Sequence, residues 1–232
     1  GRTYGWSGMM QERQAASCLI AYKQKILAQG IPEITVEERN FEVGIPESNL
    51  VYFSDSIFDP ENIDTIQEDS VNNYRRLLRT FREFHVDSKF DVFLEALKRI
   101  LNENTSSKVL VFSYFRATND YLHQHLQENG IPNLAIHGGI PVGERNSIID
   151  RFRNSLTERV LITSDVGAEG LDFQFCDTLF NYDLPWNPMK VEQRIGRIDR
   201  FGQESPVVRI YNLVLKNTIE DRILYRLYDR IN

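Results

Sequence analysis

From Lys108 onward the chain alternates short, uniformly apolar runs with amphipathic stretches, and that alternation limits its fold more than any other feature. KVLVFS (108–113), NLAIHGG (133–139), RVLITS (159–164), CDTLFNYD (176–183) and VVRIYNLVL (207–215) read as strands. A strand without polar alternation has both faces covered, and helix-length spacers return the chain to run in the same direction. The spacing predicts helices over 116–129, 141–153 and 187–200, and a terminal helix capped by Thr218. Gly130 and Pro132 close the first of these, and Pro141 sits near the first turn of the second. The expected fold is α/β, a parallel sheet with helices on both faces. Ligands of such sheets bind beyond the carboxyl ends of the strands. The turns rich in glycine and charge fall there: Gly138-Gly139, Ser164 to Gly170, and the residues before 187–200.

Upstream the pattern differs. Residues 9–29, 71–84 and 87–102 read as helices, the first stopped by Gly30-Ile31-Pro32 and the last capped by Asp87 or Ser88. Between Glu33 and Ser70 stand eleven acidic residues and one basic residue, Arg39, which predicts an acidic, loosely packed insertion. The expected division is a helical flanking segment, 1–86, holding the insertion at 33–70, followed by an α/β domain, 87–232. No apolar run is long enough to span a bilayer, and the N-terminus lacks the basic start and apolar core of a secretory signal. Cys18 and Cys176 are too far apart to suggest a metal or disulfide framework. A cytoplasmic chain without a membrane partner is expected. Its start on glycine, without methionine, reads as a piece excised from a longer protein.

The net charge of −6 argues against strong nucleic-acid binding by the surface as a whole. The charge is uneven, however. Residues 187–232 hold nine basic and six acidic side chains, whereas 1–107 hold twelve and seventeen.

Several chemistries are missing. No glycine is followed by lysine, so there is no phosphate loop of the Walker type, and the Asp-Glu pair usual for magnesium is absent. No zinc spacing appears, and His123 and His125 lie two apart on a predicted helix, pointing to different faces. The densest signal is QRIGRIDRFGQ (193–203). On a helix turning ~100° per residue, Gln193, Arg197 and Arg200 share a narrow face with Lys190 and Arg194 beside it. Val191, Ile195 and Ile198 fall opposite. This is an arginine ridge on an apolar backing, with Glu192 and Asp199 placed to pair with it in a purely structural reading.

Read together, these segments resemble superfamily II helicase-type motors. KVLVFS looks like motif IV, and AIHGGIPVGERNSIIDRF (135–152) is similar to the segment that follows it. RVLITSDVGAEGLDF (159–173) looks like motif V and QRIGRIDR like motif VI. Trp186-Asn187-Pro188 together with Gly202-Gln203 resembles the Swi/Snf type. EGLDFQFCDTLFNYDLPWNP is most like its bacterial RapA/HepA-like branch, as are RQAASC (13–18) and DSKF (87–90). Glu169 stands where DEAD-box RNA helicases carry arginine, a departure that disfavours an RNA-helicase lobe.

The resemblance implies a C-terminal RecA-like lobe with a mainly helical N-terminal extension. In such motors ATP with Mg2+ binds between two lobes. The phosphate loop and the magnesium ligands would come from an N-terminal RecA-like lobe of the same protein. By resemblance Arg197 and Arg200 are the arginine fingers, Gly170 and Asp172 lie near the ribose and phosphates, and Gln193 and Arg194 belong to the nucleotide site or couple the lobes. Ser113, Arg116, Gly138, Gly139, Arg145 and Ser164 match positions near a nucleic-acid backbone. Trp186 is a candidate for stacking or for packing a turn. The implied function is an ATP-dependent double-stranded-DNA translocase, with a protein-complex partner as a further expectation. A non-catalytic RecA-like binding module is the alternative from another class.

Overall fold

The N-cap expected before the first helix of the domain is in place. Asp87 accepts a hydrogen bond from the Phe90 backbone N–H at 3.0 Å and opens α1, Ser88–Glu103. The computed structural model describes residues 13, 15–18, 20–21, 87–185, 187–218 and 220–225. These fall in one compact unit, 13–22 together with 87–232. The acidic stretch 33–70, the helix expected over 71–84 and Trp186 lie outside the described residues. Of the helix expected over 9–29, residues 13, 15–17 and 20–21 are helical.

After α1 come β1 (Val109–Phe112), α2 (Arg116–Glu128), β2 (Asn133–Ile136), α3 (Val142–Asn154) and β3 (Val160–Thr163). They are followed by β4 (Thr178–Asn181), α4 (Pro188–Ile195) and β5 (Arg209–Asn212). The five strands form one parallel sheet in the order β2-β3-β1-β4-β5. Each strand is shorter than the apolar run that contains it, and the remaining residues of the run form loops at the strand ends.

The apolar runs are explained by burial on both faces. Val109, Val111, Val160, Ile162, Phe180 and Tyr182 pack with Phe90, Phe93 and Leu97 of α1, Leu122 and Leu126 of α2, and Cys18 and Ala21. Leu110, Phe112, Leu161 and Leu179 point the other way, onto Ile149 and Phe152 of α3 and onto Leu171, Phe173 and Ile198. Alternate residues of one strand thus enter two different cores, as the two-residue side-chain period requires.

β1 and β4 are neighbours, yet the chain leaves β1 toward β2 at one edge and leaves β4 toward β5 at the other. The carboxyl ends of β1 and β4 therefore flank the topological switch point of the sheet. Near the C-terminus Thr218 caps a short helical stretch, its hydroxyl accepting from the Glu220 N–H at 3.2 Å.

One expectation is corrected. The helix read over 187–200 stops at Ile195, and Gly196 is its C-cap. Beyond it the backbone continues in tight turns, with Ile198 N–H bonded to the Ile195 carbonyl at 2.9 Å and Gln203 N–H to the Arg200 carbonyl at 2.9 Å. The Phe173 N–H captures the Arg197 carbonyl at 2.9 Å, and the Gln203 side chain reaches the Cys176 carbonyl at 3.0 Å. Tertiary hydrogen bonds from the 171–176 loop thus replace the ladder a longer helix would have made. The single narrow arginine face drawn from a continuous helix does not exist.

Candidate functional site

The switch point is closed by carboxylates. Asp183, just past β4 and fully buried, accepts from Ser113 Oγ at 2.6 Å, from Ser17 Oγ at 2.8 Å and from the Tyr114 N–H at 2.9 Å. Ser113, expected beside a nucleic-acid backbone, therefore lies inside the domain with its hydroxyl committed to Asp183. Arg13 donates to the Leu184 carbonyl at 2.8 Å and stacks on the Tyr114 ring, with 4.7 Å between guanidinium and centroid.

Arg194 occupies the adjoining space. Its Nε and Nη2 grip both Asp165 oxygens at 2.6 and 3.0 Å, while Nη1 donates to Asn181 Oδ1 at 2.9 Å and the Asp183 carbonyl at 3.0 Å. The guanidinium lies over the Phe112 ring, 4.9 Å from its centroid. Burial alone would raise the Asp165 pKa. The hydrogen bonds and charge of Arg194, with Lys190 and Arg13 adding to them, outweigh burial and hold that carboxyl below its ordinary value. Arg194 is only 2% exposed, so its donors serve the interior and not the solvent-facing edge.

Arg197 and Arg200 stand on the turns beyond Gly196. Arg197 is half-buried, its Nη1 at 3.5 Å from the Leu171 carbonyl. Arg200 is exposed and forms an ion pair with Asp172. Gly170 takes a left-handed backbone, φ +75°, which a residue with a side chain adopts only with strain. Gln193 faces solvent. The structure thus brings Gly170, Asp172, Arg197 and Arg200 together on one exposed loop cluster and separates Arg194 from them. Glu192 and Asp199, also placed to pair with the arginines, make no ion pair among the described residues.

A second feature is a groove of about 250 Å³ at the carboxyl ends of β1, β2 and β3. It is lined by Tyr114, Arg116, Asn119, His137, Gly138, Gly139, Ser164 and Val166, so four of the six expected nucleic-acid residues meet here. Arg116 is exposed, with Asp120 one turn away at 3.9 Å. Ser164 Oγ accepts from the Gly167 N–H at 3.1 Å, fixing the turn after β3. The first turn of α2 opens onto the groove, and its N-cap, Phe115, offers no side-chain hydrogen bond.

Asp165, Asn181, Asp183, Asn119 and Gly167 were not singled out from the sequence. The available signal was position, because Asp165 and Asp183 each stand two residues beyond a strand end. Gly167 is required sterically: a Cβ there would lie 2.7 Å from both the Ile136 carbonyl oxygen and Thr163 Oγ1. Among the described residues no group of three or more His, Cys, Asp or Glu converges as a metal site. No described helix is long and apolar enough to cross a membrane.

A parallel five-stranded sheet of this order, flanked by helices, is a RecA-like lobe of the helicase type. Comparison with known proteins agrees. Residues 89–202 match the helicase conserved C-terminal domain, and that part of the chain belongs to this family. The relatives are of the Swi/Snf type. The chain is 41% identical over 167 residues to the uncharacterized ATP-dependent helicase YqhH of Bacillus subtilis (strain 168), covering 72% of this chain and 28% of the relative. It is 38% identical over 154 residues to the RNA polymerase-associated protein RapA of Cronobacter sakazakii, covering 64% of this chain and 16% of that one. The chain therefore spans less than a third of either relative. The C-terminal part of the Fun30 ATPase domain superposes with a TM-score of 0.61 at 23% identity, over 95% of this chain and 71% of that structure, which shows the fold.

Proposed function

We propose that this lobe supplies the arginine half of an ATP site in a double-stranded-DNA translocase, the other half coming from a second RecA-like lobe. The observation that carries the reading is the exposed cluster of Gly170, Asp172, Arg197 and Arg200. It is held together by the Phe173–Arg197 backbone bond and the Arg200–Asp172 ion pair. The exposed Arg200 and the half-buried Arg197, on a turn braced by the buried Ile198, are suited to meet a phosphate presented from outside the lobe. The sequence has no phosphate loop of its own, so the triphosphate and its magnesium would be held by the opposing lobe.

In this reading Arg200 is parked on Asp172 and exchanges that carboxylate for a phosphate oxygen when the lobes close. Arg197 adds a second positive charge, and Asp172, once released, is free to accept from a ribose hydroxyl. Gln193, exposed on α4, faces the opposing lobe. Arg194 holds the loop after β3 to β4 and transmits its position without touching nucleotide. Arg116, Gly138, Gly139 and Ser164 line the track for one strand of the duplex. Backbone-directed contacts of this kind carry no base sequence.

The test is ATP hydrolysis by the intact two-lobe protein carrying Arg197→Ala or Arg200→Ala. Loss of an arginine finger costs about 10³–10⁵ in rate. Hydrolysis within about twofold of the parent in both variants would remove the assignment. Stimulation by duplex DNA and not by RNA separates a DNA translocase from an RNA helicase.

A further inference from the structure

Arg145 does something that its expected place beside a nucleic-acid backbone does not describe. It pairs with no carboxylate among the described residues, and its guanidinium does not line the groove. Instead Nε donates to the Ile140 carbonyl at 2.7 Å, Nη2 to the Gly138 carbonyl at 2.8 Å, and Nη1 to the Val166 carbonyl at 3.2 Å. Gly138 and Ile140 belong to the loop between β2 and α3, and Val166 to the loop after β3. Gly138 and Val166 both line the groove, on separate stretches of chain.

We propose that Arg145 is a positioning residue that clamps the two rims of this groove at the spacing needed to seat a nucleic-acid strand. The inference rests on the groove's proposed role and deepens it. A planar guanidinium is the one side chain that can address three carbonyls in one plane at fixed angles, whereas a lysine ammonium lacks the fork. Gly138 and Gly139 are exposed, and the Gly139 N–H is held only by its neighbour His137 at 3.2 Å. The Val166 side chain already crowds Gly138, since a Cβ on Gly138 would lie 2.9 Å from Val166 Cγ1. The rims therefore meet at Gly138 and Val166, beyond the close approach of Gly167 to the Ile136 carbonyl, and Arg145 laces them. The clamp also has an electrostatic effect. The carbonyl oxygens of the groove-lining Gly138 and Val166, which would repel a phosphate, are turned toward Arg145, leaving the uncapped start of α2 and Arg116 to set the potential of the groove.

A clamp and a phosphate contact differ in salt dependence. A residue that neutralises a phosphate contributes about one unit to the slope of log affinity against log salt, and a residue that shapes the site changes affinity with little effect on slope. The experiment titrates the intact protein with a fluorescent mixed-sequence 30-base-pair DNA duplex over a range of KCl concentrations, comparing parent, Arg145→Ala, Arg145→Lys and Arg116→Ala. The expected result is about tenfold weaker binding by both Arg145 variants with the parental slope, and a slope lowered by about one unit for Arg116→Ala. A slope lowered in Arg145→Ala and restored in Arg145→Lys would make Arg145 a phosphate contact and overturn the clamp. Hydrogen exchange on the same variants reads the clamp without nucleic acid. Segments 136–142 and 163–170 should exchange faster in Arg145→Ala, and unchanged protection in both would also overturn it. If the parent fails to bind duplex, the groove's proposed role falls, while the exchange result still decides whether Arg145 holds the rims.

Discussion

Arg194 and Asp165 meet in a two-point ion pair, 2.6 and 3.0 Å, beneath the carboxyl edge of the sheet, joining α4 to the loop after β3. The pair ties the segment bearing Arg197 and Arg200 to the segment bearing Gly170 and Asp172, so the exposed cluster inherits its geometry from a bond between the buried Arg194 and the partly buried Asp165. Breaking a fully buried pair by removing one partner leaves an uncompensated charge and costs about 3–5 kcal/mol, and the partial exposure of Asp165 makes that the upper bound here. Arg194→Ala should therefore lower the urea midpoint of unfolding by a corresponding amount. A midpoint equal to the parent's would show that the pair carries no such load.

The Arg200–Asp172 pair, half-exposed on both sides, should behave oppositely. Exposed ion pairs contribute about 0–1 kcal/mol. Arg200→Ala is expected to leave thermal unfolding of this lobe nearly unchanged while abolishing hydrolysis in the intact protein. Large destabilisation by Arg200→Ala would recast the residue as structural.

Two glycines separate crowding from backbone strain. Gly167→Ala places a Cβ 2.7 Å from the Ile136 carbonyl oxygen, and backbone cannot yield cheaply. A loss of about 1–3 kcal/mol is expected. Gly170→Ala meets no atom within 4 Å but must hold φ +75°, at a cost of about 1 kcal/mol. Chemical denaturation of the two variants should rank Gly167→Ala as the more damaging, and the reverse ranking would contradict this packing.

Lys89 and Glu220 form a buried pair, Nζ to the two carboxylate oxygens at 2.7 and 2.8 Å, with the Ala16 carbonyl as a third acceptor at 3.2 Å. Burial pushes the Glu220 carboxyl up to about 7, against the pull of the Lys89 charge and hydrogen bonds. The folded chain thus binds this proton more tightly than the unfolded chain. The associated stability is full below the ordinary carboxylate range and is lost as pH rises through about 7. Relative to Glu220→Gln, the parent should lose on the order of 3 kcal/mol between about pH 4 and pH 8. Unfolding free energies measured across that range test it; a parent that gains stability on Glu220→Gln as pH rises would reverse the sign.

The local pattern explains much of this architecture before any contact is considered. Apolar runs place strands at β1, β3 and β4, and their lack of polar alternation follows from Val111 and Phe112 entering opposite cores. Asp87 and Thr218 mark helix starts because capping is chemistry between near neighbours. The motif order locates the carboxyl-edge loops for the same reason, since each motif is contiguous.

The fates of individual side chains were not legible in that way. Arg194, Arg197 and Arg200 carry the same chemistry within seven residues, yet one is buried, one is half-buried and one is exposed. The difference arises because α4 stops at Gly196 and because Asp165 lies 29 residues away in the loop that β3 delivers. Ser113, expected beside a nucleic-acid backbone, is taken inside by Asp183, 70 residues on, because β1 and β4 are neighbours in the sheet. Arg145 had ion-pair partners at hand on its own helix and instead spans two loops. By itself the sequence determined the sheet, its two covered faces and the carboxyl edge where its glycine- and charge-rich turns fall, since these follow from local periodicity and contiguous motifs. Only the tertiary structure decided which charges stay free at that edge, because partners far apart in the chain are brought together by strand order.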